Sequence, residues 1–169
     1  MTSKVNPEYD NLIELYAGQH LAGFDWRLLK AQLHCESGMN CEAVSSVGAR
    51  GLGQFMPETW QEYCDAFNLK GARPTEVEHG IQAAAWYMGI LLSKWTSRRP
   101  PMDRYALALA SYNAGFGNIL KAQRLAQGDN DYKDIIVQLV NVTGRANAKQ
   151  TSDYVRRNLT VFNELVLLG

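Results

Sequence analysis

No apolar run in this chain is long enough to cross a bilayer; the longest, about Ile81 to Leu92, is interrupted and too short. The opening Met1 to Asp10 holds no apolar core of the kind a secretory leader needs, so synthesis in the cytoplasm without a signal peptide is expected. Net charge is lacking as well, because 17 Lys+Arg balance 17 Asp+Glu. No global field therefore favours nucleic acid or stable membrane insertion. Two local basic pairs, Arg98-Arg99 and Arg156-Arg157, read as solvated helix ends. Cysteine is scarce and odd in number, at 35, 41 and 64, which argues against a complete disulfide framework. Cys35 and Cys41 flank a Gly-containing turn and remain a candidate pair in an oxidising space, while Cys64 reads as an ordinary buried residue. A zinc site from these three and His34 lacks the paired short-range ligands such sites use, so no metal is expected. Period-2 alternation, internal repeats and domain-separating linkers are also missing.

What is present is helical periodicity in a chain of 169 residues, 46% hydrophobic and 20% charged, enough for one buried core. A first amphipathic segment runs Tyr9 to His20. Asp25 is placed to cap a second helix that reaches about Ser37, where Gly38 ends it. Pro57 suits the first turn of a third helix, with Trp60, Cys64 and Phe67 on one side. A long fourth helix, about Thr75 to Trp95, is apolar nearly all round and is expected to be the central buried one. Arg98 to Pro101 breaks it, and Asp103 to Tyr112 follows as a fifth helix ending at Asn113-Ala114-Gly115. Segments near Asn118–Gln127, Tyr132–Val140 and Ser152–Leu168 complete the pattern. The expected fold class is all-α, with little or no sheet, as a single domain over residues 1–169.

One carboxylate stands out. Leu29, Leu33 and Glu36 recur at spacings of four and three, sharing a helix face with Trp26. A carboxyl group at the end of that face loses hydration, and the last turn of a helix disfavours a further negative charge. Both effects raise its pKa towards the protonated acid that glycosidic-oxygen protonation requires. From periodicity alone, a Glu reaching solvent at a helix end explains the residue equally well. After it, Gly48, Gly51 and Gly53 form a loop that allows close backbone approach to a ligand. No strand–loop–helix pattern with Gly-Lys-Ser/Thr accompanies it, so a sugar-binding wall fits better than a phosphate cradle.

The sequence Glu36-Ser37-Gly38-Met39-Asn40, then Ala43-Val44-Ser45, then Gly48 through Gln54-Phe55-Met56-Pro57, resembles the signature of the soluble lytic transglycosylase family, related to goose-type lysozyme. Ala110-Ser111-Tyr112-Asn113-Ala114-Gly115 is similar to that family's second motif, and Gln150-Thr151 with Tyr154-Val155 to its third. The three lie in family order within a motif core of about 25–160. The resemblance implies a lysozyme-like helical domain with a glycan-binding cleft and no cofactor. Its partners would be peptidoglycan glycan strands, and a monomer is expected.

Carried over residue by residue, the resemblance implies that Glu36 protonates the oxygen between N-acetylmuramic acid and N-acetylglucosamine. It then takes the proton of the muramic 6-hydroxyl, giving a 1,6-anhydro end. Ser45 would steady the carboxyl or an N-acetyl group, although a turn serine is the competing account. Gln54 would hydrogen-bond the sugar, and Met56 would line the cleft or simply pack. Tyr112 would floor the sugar site, Asn113 would hold the loop or cap the helix, and the Tyr154 hydroxyl would lie near Glu36. Departures from the family pattern are Gly53 for a bulkier residue, Cys41 for Pro, Gln150 for Glu, and Ser111 for Ala, the last expected to be neutral.

Two further readings stay open. A goose-type muramidase would hydrolyse the same bond with a second carboxylate, for which Glu42, Glu58 and Glu62 are candidates. An inactive glycan-binding or virion module is the alternative outside enzymology. Absence of a leader in the sequence as given fits a phage endolysin that reaches the wall after release, and equally a virion-associated lysin or a bacterial transglycosylase domain stripped of its leader. The proposed desolvation of Glu36 has a direct check: making Leu29 or Leu33 polar should lower its pKa. A general acid with a lower pKa loses activity at a lower pH, so the alkaline limb of the rate profile should move down.

Overall fold

The structure, a computed structural model, describes residues 6–167; the start of the chain and Leu168, the expected end of the last helix, lie outside them. Helices follow one another as α1 (Asp10–His20), α2 (Arg27–Ser37), α3 (Pro57–Ala66), α4 (Val77–Lys94), α5 (Pro101–Ala114) and α6 (Phe116–Leu125). Then come α7 (Tyr132–Ile136), a 3-10 turn (Val137–Leu139), α8 (Val140–Thr143) and α9 (Arg145–Leu167). Among the described residues the only β-type pairings are isolated bridges, Val44 with Arg50 and Arg50 with Phe55. The all-α expectation holds. The chain divides into two compact units, one formed by residues up to Tyr87 together with those from Asn158 onward, the other by Met88–Arg157.

In the first unit α2 is started and stopped by side chains the sequence placed there. The Asp25 carboxylate accepts the Arg27 N–H at 2.9 Å and pairs with its guanidinium at 2.6 Å. The cap position itself falls one residue later than expected, on Trp26, whose backbone is already helical. Gly38 ends α2 in the left-handed conformation, φ 64°, donating its N–H to the His34 carbonyl. Between these ends, Leu28 through Leu33 are all buried, Lys30 and Gln32 included. The Lys30 ammonium is matched by Asp10 of α1 at 2.6 Å.

Around α2 the core holds Ile13, Leu29, Leu33, Leu52, Tyr63 and Ile81, each fully buried. Pro57 opens α3 at its first turn, with Trp60 and Cys64 buried as expected. Polar tips of the aromatic residues find partners. Trp60 Nε1 donates to the Ala72 carbonyl, Tyr63 to Gln82 Oε1 at 2.8 Å, and Tyr16 to Glu78 Oε1 at 2.7 Å. Burial first, and then that bond to Glu78, push the Tyr16 hydroxyl up to about 12. The fourth helix is buried at Ile81, Ala83, Ala84, Ala85, Met88, Leu91 and Leu92, while Glu78, Ser93 and Lys94 reach solvent. The candidate Cys35–Cys41 pair is not formed; none of the three cysteines is in a disulfide.

In the second unit seven consecutive residues of α5, Tyr105 through Ser111, are buried. This helix begins at Pro101, two residues before the expected Asp103, because a proline fits a first turn that needs no N–H donor. Asp103 instead reaches across to accept the Tyr132 N–H at 2.9 Å. The stretch expected as one helix over Tyr132–Val140 is three short pieces, ended by Gly144 at φ 80°. The last helix starts at Arg145, seven residues before the expected Ser152. Its first turn, Arg145 to Ala148, is exposed apart from Ala148 and carries no large apolar residue to announce it.

Gly51 is tightly enclosed. A Cβ there would lie 1.8 Å from the Pro74 carbonyl oxygen, and φ is 77°. Gly51→Ala should therefore destabilise the protein by more than about 2 kcal/mol in chemical denaturation. Alkali should also weaken the fold through Tyr16, whose hydroxyl ionises near 10 when unfolded and near 12 when folded. Its contribution is fully present below pH 10 and is lost as pH rises from there to about 12. The urea midpoint of the wild type should accordingly fall more steeply over this range than that of Tyr16→Phe.

Candidate active site

Of the seven residues singled out, Glu36, Ser45, Gln54 and Met56 belong to the first compact unit, and Tyr112, Asn113 and Tyr154 to the second. Glu36 stands half-buried in the last turn of α2, three residues after the buried run ending at Leu33. Ser37 beside it turns its hydroxyl back to the Leu33 carbonyl at 3.1 Å. Beyond Gly38 the chain takes a second left-handed step at Met39, φ 66°, whose side chain is buried. The Asn40 side chain then accepts the Glu42 N–H at 2.9 Å, closing the turn that leads into the loop.

That loop is held by its own backbone. Ser45 N–H bonds the Ala49 carbonyl, Gly51 N–H the Ala43 carbonyl, and Arg50 and Phe55 exchange both bonds at 3.0 and 2.9 Å. The Ser45 hydroxyl oxygen accepts the Ala49 N–H at 3.0 Å, so the turn role anticipated for it is real. Its O–H proton remains available to donate, since a serine has one donor and two acceptor positions. Gln54 sits at φ 50°, and its Nε2 donates to the carbonyls of Ala43 at 3.2 Å and Gly51 at 3.0 Å. The expectation that this amide needs an outside partner is thus corrected for its nitrogen: the loop itself supplies both acceptors. Only its carbonyl oxygen is left to face a ligand. Met56 is 40% exposed at the start of α3, which removes core packing as an account of it.

In the second unit, Tyr112 is half-buried near the end of α5 and Tyr154 is buried on α9. Asn113 is not the helix cap proposed for it, because α5 continues to Ala114 and Gly115 follows as the cap residue, its N–H on Ser111. Its Oδ1 instead lies 2.9 Å from the Thr151 hydroxyl, tying the second motif to the third. Asn118 Nδ2 covers the Ala114 carbonyl at 2.8 Å. A polar cleft of about 210 Å³ opens here, lined by Asn113, Asn118, Thr143, Asn147, Gln150 and Thr151 with Ala114. Ser111, expected to be neutral, is not: it accepts the buried Trp95 Nε1–H at 3.2 Å and donates to the Leu107 carbonyl at 2.7 Å. An alanine there would leave the indole N–H buried without that acceptor.

Thr151, named within the third motif, and Ser111, read as a neutral departure, were given no site role from the sequence, yet each makes a side-chain bond beside these residues. Thr151 had a signal, since it lies inside the third motif three residues before Tyr154. Among the described residues no three His, Cys, Asp or Glu side chains gather as a metal would require. Nor is any described helix long and apolar enough to cross a membrane.

With this geometry established, comparison with known proteins is specific. The transglycosylase SLT domain family matches residues 17–135. The membrane-bound lytic murein transglycosylase F of Mannheimia succiniciproducens is 36% identical over 128 residues, 74% of this chain and 24% of that protein. Its namesake in Marinobacter nauticus is 38% identical over 121 residues, 72% of this chain and 22% of that protein. The chain thus spans about a quarter of the length of these relatives. Among solved structures, the 70 kDa soluble lytic transglycosylase of Escherichia coli superposes with a TM-score of 0.74. That match has 21% identity and covers 94% of this chain and 24% of that one. An inactive glutamate-to-glutamine mutant of the lytic transglycosylase Slt from Pseudomonas aeruginosa gives 0.70 at 21% identity, covering 96% of this chain and 25% of that one. These likenesses show a shared helical fold, and the sequence match fixes the lineage: the chain belongs to the transglycosylase SLT domain family.

Proposed function

We propose that this domain is a peptidoglycan lytic transglycosylase, cleaving the β-1,4 bond between N-acetylmuramic acid and N-acetylglucosamine. One observation carries the reading. The carboxylate of the family motif, Glu36, stands half-buried at the C-terminal end of a helix whose preceding residues Leu28–Leu33 are all buried. A closely packed support of this kind holds an acid in place for proton transfer.

The reaction then needs no water. Glu36 gives its proton to the glycosidic oxygen as the bond from the muramic C1 breaks, and N-acetylglucosamine leaves with its hydroxyl restored. Positive charge develops at C1 and the ring oxygen. The Glu36 carboxylate next takes the proton of the muramic 6-hydroxyl, whose oxygen bonds to C1. The 1,6-anhydro ring closes and the enzyme regains its acid. Ser45 through its O–H proton, Gln54 through its carbonyl oxygen, and Met56 by apolar contact would bind sugar on the first unit's side. Within the second unit, Tyr112, Asn113 and Tyr154 are the residues proposed to bind substrate. The two units would be parts of a single catalytic domain, acting on the cell wall.

Support comes from the relatives, which are lytic murein transglycosylases by name. The Pseudomonas aeruginosa enzyme is inactive when one glutamate becomes glutamine. Glu42, Glu58 and Glu62, the candidates for a second carboxylate in a hydrolytic mechanism, are all exposed. Digestion of purified peptidoglycan followed by mass spectrometry tests the proposal. Products should end in anhydromuramic acid, lighter by one water than reducing ends. Glu36→Gln should lower the rate by about 10²–10⁴-fold. Reducing ends would make the protein a muramidase, and an undiminished Glu36→Gln would make the catalytic assignment wrong.

A further inference from the structure

Gln32 is the most anomalous polar residue of the first unit. It is fully buried, and neither its Nε2 nor its Oε1 has a hydrogen-bond partner. Buried amides are nearly always bonded, because leaving water without a replacement partner is costly. A residue kept in that condition calls for an explanation beyond packing, since leucine or methionine would fill the same space without the loss.

Its position supplies one. Gln32 and Glu36 are four residues apart on α2, hence about 40° apart around the helix axis and one turn apart along it. Helical side chains lean towards the N-terminus, so residue 36 is inclined towards the turn that carries Gln32 and Leu33. Glutamine–carboxyl pairs at this spacing are within hydrogen-bonding reach. The other polar residues of the helix are directed or engaged elsewhere. Lys30 is matched by Asp10 of α1, and Arg27 by Asp25 at the helix start. Ser37 bonds the Leu33 carbonyl, and His34 projects from the side of the helix away from Gln32. The apolar stripe inferred from Leu29 and Leu33 is therefore interrupted beside Glu36 by a primary amide.

We propose that Gln32 is the positioning residue for Glu36, holding its carboxyl group through both halves of the reaction. The inference rests on the reading of Glu36 as acid and then base. A primary amide is neutral and yet offers both an acceptor and two donors. In the substrate complex its Oε1 accepts from the protonated carboxyl before bond cleavage, a bond that the substrate-free structure does not make. After proton transfer, the amide turns over and Nε2 donates to the carboxylate. With no other bond holding it, turning over breaks nothing. No proton leaves Gln32, so the balance of the reaction is unchanged.

Two measurements test this, one of them on the wild-type protein. In the ¹⁵N-labelled chain the Gln32 side-chain NH₂ resonances should shift with pH through one titration step, and that step should vanish in Glu36→Gln. An amide signal that stays flat with pH overturns the proposal. In the second, Gln32→Met, which removes an unpartnered polar group, should leave Tm unchanged or higher. It should also lower kcat at least tenfold with KM little altered and displace the pH–rate profile. A Gln32→Met protein with wild-type kcat and pH profile overturns the proposal while leaving the Glu36 assignment intact. A fully active Glu36→Gln removes the assignment itself, and the proposal with it.

Discussion

Burial of α2 on every side over Leu28–Leu33 is the constraint from which the rest of the first unit follows. A helix enclosed in this way has little freedom to roll or slide, so whatever its last turn carries is fixed in space. It also makes an unanswered polar side chain in the run costly. Asp10 answers Lys30. The aromatic residues of the same unit meet that demand too, with Tyr16 bonded to Glu78 and Tyr63 to Gln82. Glu36 is placed where enclosure ends, half-buried, at the point where the chain turns away through Gly38.

The loop that follows solves a different problem. It has too few residues and too many reversals for a strand pair, so its backbone groups are satisfied by short bridges around Arg50 and by two side chains, Ser45 and Gln54. Rigidity there comes from amides and hydroxyls, with Gly51 packed against the Pro74 carbonyl. Residues that resemble sugar ligands in sequence are thus also part of the loop's own framework. Only the remaining valences, the Ser45 proton and the Gln54 oxygen, are left for chemistry.

The second unit repeats the theme with other parts. Its buried helix α5 keeps Trp95 satisfied through Ser111, and its exposed end is tied to α9 by Asn113 and Thr151. The polar cleft beside that tie is lined by neutral amides and hydroxyls, a surface suited to uncharged polar groups such as those of amino sugars.

Much of this was legible beforehand. Gly38 and Pro57 mark helix ends through backbone geometry that few other residues accept, and Leu29, Leu33 and Glu36 share a face because α-helical spacing requires it. The family motifs, read in order, identified the lineage that the match over residues 17–135 establishes. The start of α9 escaped because its first turn carries no large apolar residue. Asn113 was misjudged because its partner Thr151 lies 38 residues away. The sequence by itself determined the helices with clear ends and the place of Glu36 in the last turn of α2, since these are local consequences of residue type and spacing. Only the tertiary structure decided which polar groups are answered: Gln54 by its own loop, Ser111 by Trp95, and Gln32 by nothing yet bonded to it. Hydrogen-bond partnership depends on which atoms meet across the fold, and no local pattern encodes that.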